Sequence, residues 1–287
     1  MRRGLDHLVH AVRDLDAGAA LYRRLGFTVG VRNRHPWGTH NHVVQMPGFF
    51  VEILTLAEPG KLGEDGFSRL FGRFNGEFVA RGDGLSMLIL ESLDAAADQK
   101  TFAAAHISAS DVLRFEREGR RPDGSPVAVA FSLAFARCAP AAEAGFAVCQ
   151  QHFPDNFWNP AFQRHANGVC GVAAAVLVAD NPSDYHIFLS AFSGVRALHS
   201  TSSGISASTA RGDIQIMDPK AFESHFGHRA PPVDNGMRIA AIRFKTRDLA
   251  AGRAALASGG VPFAEHIGRM IVPPGEALGA TIAFEQA

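Results

Sequence analysis

The chain has 287 residues with 28 Lys+Arg against 28 Asp+Glu, so its formal net charge is zero, and 47% of it is hydrophobic. That balance suits one large or two medium globular domains. It offers no field of one sign to attract nucleic acid or an anionic membrane, and neither is expected as a partner. Three cysteines (Cys138, Cys149, Cys170) have no CxxC spacing and form no even disulfide framework, which predicts reduced, mostly buried thiols in a cytoplasmic protein. No export signal or apolar run of ~18 residues is read from the sequence.

In chain order, residues 5–12 alternate as a strand and 14–26 as an amphipathic helix ending at Leu25-Gly26. Strands are predicted at 27–31, 40–46 and 49–57. A second unit opens with a strand at 84–90 and an Ala-rich helix at 93–105. Strands follow at 112–118, 127–136 and 146–152, with Arg121-Pro122-Asp123-Gly124 as a hairpin turn in which Pro fixes one φ and Gly accepts a positive one. The basic stretch 114–121 alternates with acids and reads as a solvated strand edge rather than a phosphate site.

A third unit begins near Val172. Asp180-Asn181-Pro182 supplies a cap and a first-turn proline for a helix that stops at Gly194, and strands follow through Leu198, Ile205 and 213–217. The fourth unit is a strand at 238–246, a helix at 248–258, the break Gly259-Gly260, and strands ending at 281–284. Arg13-Asp14-Leu15 and Arg247-Asp248-Leu249 start two helices in the same way, so the repeat in pattern is echoed weakly in sequence. These are four strand–helix–strands units, read as two domains, 1–166 and 167–287.

His7 on the first strand and Glu52 on the fourth can share one face of a curled sheet, because strand side chains alternate with period two. An imidazole and a carboxylate converging in an apolar cup are half of a divalent-metal site. The alternative is a simple hydrogen-bonded pair in a polar-bottomed pocket. On the third strand His40 and His42 share a face and Asn41 takes the other. His40 is a candidate acid/base and Asn41 could orient a substrate carbonyl, whereas His35 and His42 are read as rim or surface residues. His10 is read as a satisfied core histidine, and His165 with Asn167-Gly168 as a structural turn.

Leu5-Asp6-His7-Leu8-Val9, Leu25-Gly26-Phe27, Trp37-Gly38-Thr39-His40-Asn41, Phe50-Val51-Glu52-Ile53-Leu54, Gln151-His152-Phe153-Pro154 and Arg164-His165-Ala166-Asn167-Gly168 together resemble the vicinal oxygen chelate superfamily, in its glyoxalase-like branch. The resemblance implies an α+β fold of tandem βαβββ modules in paired half-barrels, with a divalent metal (Zn, Ni, Mn or Fe) held by first- and fourth-strand ligands. Carried over by position, His7 and Glu52 are ligands in module one. Ser86, a poor metal ligand, takes the first-strand place in module two, where Gln150 or His152 falls near the fourth-strand place.

The expected metal set is therefore His7, Glu52 and His152. Glu52, His40 and Asn41 are the expected catalytic groups, and Trp37, Phe50, Gln150 and Ser86 the expected pocket lining. Modules three and four lack a first-strand His and have Ala283 at the ligand place, with Glu285 two residues beyond, so they are read as a structural partner. The function expected is a metal-dependent lyase or isomerase acting on a small, oxygenated, partly apolar metabolite. The alternative is a metal-free protein that sequesters a hydrophobic small molecule, as drug-binding members of the superfamily do. A homodimer is a further expectation, since the superfamily often pairs modules between chains.

Overall fold

The computed structural model describes residues 3–120 and 125–287, so the predicted Arg121-Pro122-Asp123-Gly124 turn lies outside the described residues. Among the described residues, two eight-stranded sheets form. The first contains β1 (Leu5–Ala11), β2 (Asn33–Arg34), β3 (Thr39–Met46), β4 (Phe49–Leu56), β5 (Gly84–Glu91), β6 (Leu113–Arg120), β7 (Pro126–Ala136) and β8 (Gly145–Gln151). The second contains β9 (Val169–Val178), β10 (His199–Thr201), β11 (Gly204–Ser208), β12 (Asp213–Met217), β13 (Arg238–Thr246), β14 (Ala264–His266), β15 (Arg269–Val272) and β16 (Thr281–Gln286).

Their orders are β2-β3-β4-β1-β5-β8-β7-β6 and β10-β11-β12-β9-β13-β16-β15-β14, one topology used twice. Within each module the first and fourth strands run parallel (β1 with β4, β5 with β8, β9 with β12, β13 with β16). Antiparallel ladders β1–β5 and β9–β13 join the modules. The expected α+β architecture of tandem βαβββ modules in half-barrels is therefore present.

Each module's first helix begins where the sequence places it, because a short polar side chain satisfies amides that the helix cannot. Asp14, Asp94 and Asp248 each accept two backbone N–H bonds at the starts of helices Leu15–Arg24, Ala95–Ala104 and Leu249–Ser258. In module three Asn181 accepts from the Ser183 amide and Pro182 opens the short turn before helix His186–Ser193, which ends at Gly194 with φ 73°.

Two expectations fail locally. Residues 28–32 form no strand, and β2 is only two residues long. Phe27 is turned into the core against Phe244 at 5.1 Å, and the Thr28 amide donates to His165 Nδ1 instead of to a ladder. Helices Phe74–Arg81 and Pro219–Phe226, not anticipated from the pattern, follow the fourth strands of modules one and three. Their phenylalanines, Phe78 and Phe222 with Phe226, pack into the two cups.

One face of each sheet enters a shared core, in which Leu8, Val51 and Leu88 of the first meet Ile242 and Phe284 of the second. Each opposite face curls around its own smaller apolar cluster. Burying apolar surface on both faces of every central strand makes each half depend on the other, at roughly 25 cal/mol per Å².

Polar side chains fix the join. His10 is fully buried, with Nε2 donating to the Leu278 carbonyl at 2.9 Å and Nδ1 3.0 Å from the Tyr22 hydroxyl, and burial holds its pKa below the ordinary histidine value. His165 spans two backbone groups, accepting from Thr28 N and donating to Gln45 O. Asn167, also fully buried, donates to Leu25 O at 2.9 Å and accepts from Val169 N at 3.0 Å, just before Gly168 at φ 70°.

Replacing Asn167 by Ala orphans a buried carbonyl and a buried amide, a cost of about 1–3 kcal/mol for each unsatisfied group. Urea unfolding of Asn167→Ala should show a loss of about 2 kcal/mol or more; a loss within 0.5 kcal/mol, the usual surface-substitution range, would mean that this link contributes nothing special.

Candidate active site in the N-terminal cup

The first sheet encloses a cavity of about 80 Å³. Alternation decides which side chains reach it. From β4, Phe50 and Glu52 point inward while Phe49, Val51 and Ile53 face the shared core. From β3, Asn41 and Val43 point inward and His40 and His42 outward. The walls are aromatic: Trp37, Phe67 and Phe71 on one side, Phe115 and Phe131 on another, and Phe157 at the mouth. Trp37 stacks on Phe67 at 4.6 Å and on His35 at 4.7 Å, and Phe50 lies flat on the His7 ring at 4.2 Å.

A register shift in the β1–β5 ladder between Leu5 and His7 puts two consecutive side chains to use. Such a bulge re-aims side chains that strict alternation would send to opposite faces. Asp6 Oδ2 lies 2.6 Å from His7 Nδ1, and Gln151 Nε2 donates to Asp6 Oδ1 at 3.0 Å. The other ring nitrogen, His7 Nε2, faces Glu52 Oε2 across 3.9 Å. Glu52 Oε1 accepts a short bond from Asn41 Nδ2, Asn41 Oδ1 accepts from Asn33 Nδ2 at 3.1 Å, and Asn33 Oδ1 accepts from Arg117 Nη2 at 3.3 Å. A polar thread thus runs from Gln151 to Arg117 through an otherwise apolar chamber, open only between His7 and Glu52.

Burial raises the Glu52 pKa above the ordinary carboxylate value, against the opposing pull of His7 and of the Asn41 hydrogen bond. Burial, reinforced by Asp6 and Glu52, keeps the Cys149 thiol well above its usual range. His35 is pushed down to about 3 by burial and by the nearby Arg117 and His40, so it lines the cavity as a neutral imidazole with Nδ1 on Thr39 Oγ1 at 2.8 Å.

Of the expected site residues, His7, Glu52, Asn41, Trp37 and Phe50 meet in this cavity. The other four stand elsewhere. His40 Nε2 pairs with Glu58 at 2.8 Å on the outer face of β3. Ser86 donates to Asn75 Oδ1 at 2.6 Å in a buried position that does not line the cavity. Gln150 accepts from the Ala95 amide, helping to hold the start of helix Ala95–Ala104. His152 bonds to Ser132 Oγ at 2.7 Å and Arg114 at 3.2 Å. The error lies in parity. On β8, Cys149 lines the cavity and Gln151 reaches Asp6, so Gln150 and His152, one residue out of phase, go to the other face.

The expected His7, Glu52, His152 triad therefore does not assemble. Among the described residues, no three or more His, Cys, Asp or Glu side chains stand where they could hold a metal ion together. Gln151 retains a buried, unpartnered Oε1, but its amide is engaged with Asp6 at the ring nitrogen of His7 that faces away from Glu52. Two converging donors fall short of the three that a divalent catalytic metal takes from protein; the residues present do not fit the metal that the resemblance implies.

Several cavity residues carried little signal in the sequence. Asp6 needs the bulge to be found. Phe115 and Arg117 sit in the stretch read as a solvated edge, yet their shared parity on β6 turns both inward. Phe67 precedes and Phe71 lies on an unpredicted segment of π-helical geometry, Ser68–Arg73, a feature often found beside functional sites.

The opposite cup is closed by charge. Arg243 reaches both Glu285 oxygens, at 2.8 and 2.9 Å, and Gln215 at 2.9 Å, while Arg269 joins Glu285 at 2.9 Å.

A glyoxalase-like domain family model matches residues 5–192, about two thirds of the sequence, and the chain belongs to that family. A comparison with curated proteins finds no match. Among solved structures, the chain is similar to a hypothetical protein from Staphylococcus aureus (TM-score 0.67, 12% identity, covering 99% of this chain and 100% of that one). It is also similar to a mutant 4-hydroxymandelate synthase from Streptomyces coelicolor (TM-score 0.59, 12% identity, 99% and 92%). A fusion of a xylose isomerase-like TIM barrel with a 4-hydroxyphenylpyruvate dioxygenase matches with TM-score 0.53 and 16% identity, over 92% of this chain and 40% of that one. At these identities the likeness establishes the vicinal oxygen chelate fold. No described helix is long and apolar enough to cross a membrane.

The raised pKa of Glu52 has a stability consequence of definite sign. Between about 4.5 and its folded value, the folded chain keeps a proton that the unfolded chain has lost, so stability falls as pH rises through that window. Glu52→Gln removes the titration. The difference in Tm, variant minus wild type, should grow between pH 4 and 8; a constant difference would show that Glu52 has no raised pKa.

Proposed function

We propose that the protein is a small-molecule enzyme that moves a proton at a carbon next to a carbonyl, an isomerase or lyase type of step on a small, partly apolar, oxygenated substrate. The observation that carries this reading is the facing pair at the cavity floor, His7 Nε2 and Glu52 Oε2 3.9 Å apart, each held from behind by its own partner. Two oriented groups this close can both touch one small fragment lying across them from the cavity side, one at a C–H and the other at the adjacent carbonyl oxygen, within aromatic walls.

The chain's own residues divide the work. Ionised Glu52, its Oε1 fixed by Asn41, takes the C–H proton onto Oε2. The C–H electron pair moves into the carbonyl to give an enolate, and Glu52 becomes a neutral acid. The imidazolium form of His7, donating from Nδ1 to Asp6 and from Nε2 toward the carbonyl oxygen, stabilises the developing oxygen charge. Return of the Glu52 proton to the opposite face of the same carbon releases the epimer and restores the carboxylate. A raised carboxylate pKa favours this role, since a base works best when its pKa lies near the working pH.

Deuterium wash-in next to the carbonyl, followed by proton NMR over a panel of short-chain ketones and oxo acids, tests the reading. Glu52→Gln should slow exchange by roughly 10²–10⁴-fold, the usual worth of a positioned base. The rate should rise with pH to a plateau as Glu52 ionises. Metal content should lie well below one ion per chain, and a chelator should leave exchange unchanged. One ion per chain that His7→Ala abolishes would replace this mechanism with a metal-assisted one.

The aromatic enclosure also suits plain sequestration of a hydrophobic molecule. Binding by wild type with no exchange of any ligand would favour that second reading.

A further inference from the structure

We infer that the substrate is an acid, and that Arg117 is the residue that selects it: the cavity takes a short-chain oxo acid with its carboxylate at Arg117 and its carbonyl at the His7–Glu52 gap. This rests on the proton-transfer reading of the same site and adds the substrate class.

Among the described residues, the charge of Arg117 meets no counter-ion. Among the described residues its guanidinium touches neutral acceptors, Asn33 Oδ1 at 3.3 Å and the Glu118 carbonyl at 3.4 Å, both long bonds. Among the described residues no carboxylate lies within ion-pair reach of it. Arg3, Arg73 and Arg114 of this half pair with Asp98, Glu64 and Glu116, whereas Arg13, Arg24 and Arg69 bind backbone carbonyls outside the cavity. Alternation on β6 sends Arg114 out to solvent and Arg117 in beside Phe115, under aromatic walls. An unpaired, half-buried cation is costly, and an anionic ligand offsets that cost. The planar fork matches a carboxylate bidentately.

Position and size narrow the class. Arg117 and Glu52 line one cavity and are joined through the Asn33 and Asn41 side chains, so two amides separate the anchor from the base. A ligand that engages both ends needs a few bonds between carboxylate and carbonyl, as in a 4-oxo acid. The free space of about 80 Å³ limits the ligand to a small molecule.

The probes are 4-oxopentanoate and its uncharged counterpart 2-pentanone, followed by quenching of tryptophan fluorescence. Trp37 lines the cavity and Trp158 packs on Phe50 at 5.9 Å, so both tryptophans report on the site. Wild type should bind the acid at least tenfold more tightly than the ketone. Arg117→Gln should abolish that preference while still binding the ketone, which also shows that the variant is folded, and Arg117→Lys should keep part of it. Equal binding of the two probes by wild type, no binding of either, or a preference that survives in Arg117→Gln overturns the proposal. Deuterium exchange separates it from the reading beneath: acid held without exchange sinks proton transfer and leaves the anchor standing, whereas equally fast exchange of acid and ketone does the reverse.

Discussion

A carboxylate taken out of water without full compensation is the constraint around which this cup is organised. Glu52 gains one hydrogen bond from Asn41 and faces an imidazole across a gap too wide for a direct bond. Burial therefore outweighs the partners and lifts its pKa. Apolar walls create this condition, and the polar thread limits it: Asn33 and Asn41 lead toward Arg117, while Asp6 and Gln151 support His7 from the other side. Each member is positioned by the next, so the geometry at the gap is stiff although the cavity itself contains mostly rings.

The two halves share a topology and diverge at this same point. In the first, a first-strand histidine and a fourth-strand carboxylate are left apart. In the second, β13 contributes Arg243 and β16 contributes Glu285, and the two close directly in a bidentate pair. A guanidinium satisfies both carboxylate oxygens at once, so the Glu285 carboxylate is already paired. The second half then serves mainly to cover the outer face of the first sheet. The shared core, the His10–Leu278 bond and the Asn167 bridge are the physical content of that service.

The aromatic lining and Arg117, which meets no carboxylate among the described residues, complement each other. Rings supply dispersion and low dielectric, which strengthen any charge interaction inside them. A single positive group at the far end of such a chamber gives a ligand one permitted orientation. Neutral His35, stacked on Trp37, completes the wall beside Arg117 without adding a second charge.

The sequence by itself determined the four modules, because strand alternation, Asp-capped helix starts and glycine breaks are local signals read within about ten residues. It also placed His7, Glu52 and Asn41 on their strands and set Asn41 on the face opposite His40 and His42, without saying which face enters the cup. Only tertiary structure decided the rest. The parity of β8 set Gln150 and His152 outside, since a one-residue phase is not legible in a strand whose two faces are both buried. A bulge, which depends on the partner strand, brought Asp6 behind His7. The inward turn of Arg117 depended on which face of β6 met the aromatic cluster, and local charge alternation pointed the other way. Sidedness and register are properties of pairs of strands, and a single strand's residues do not contain them.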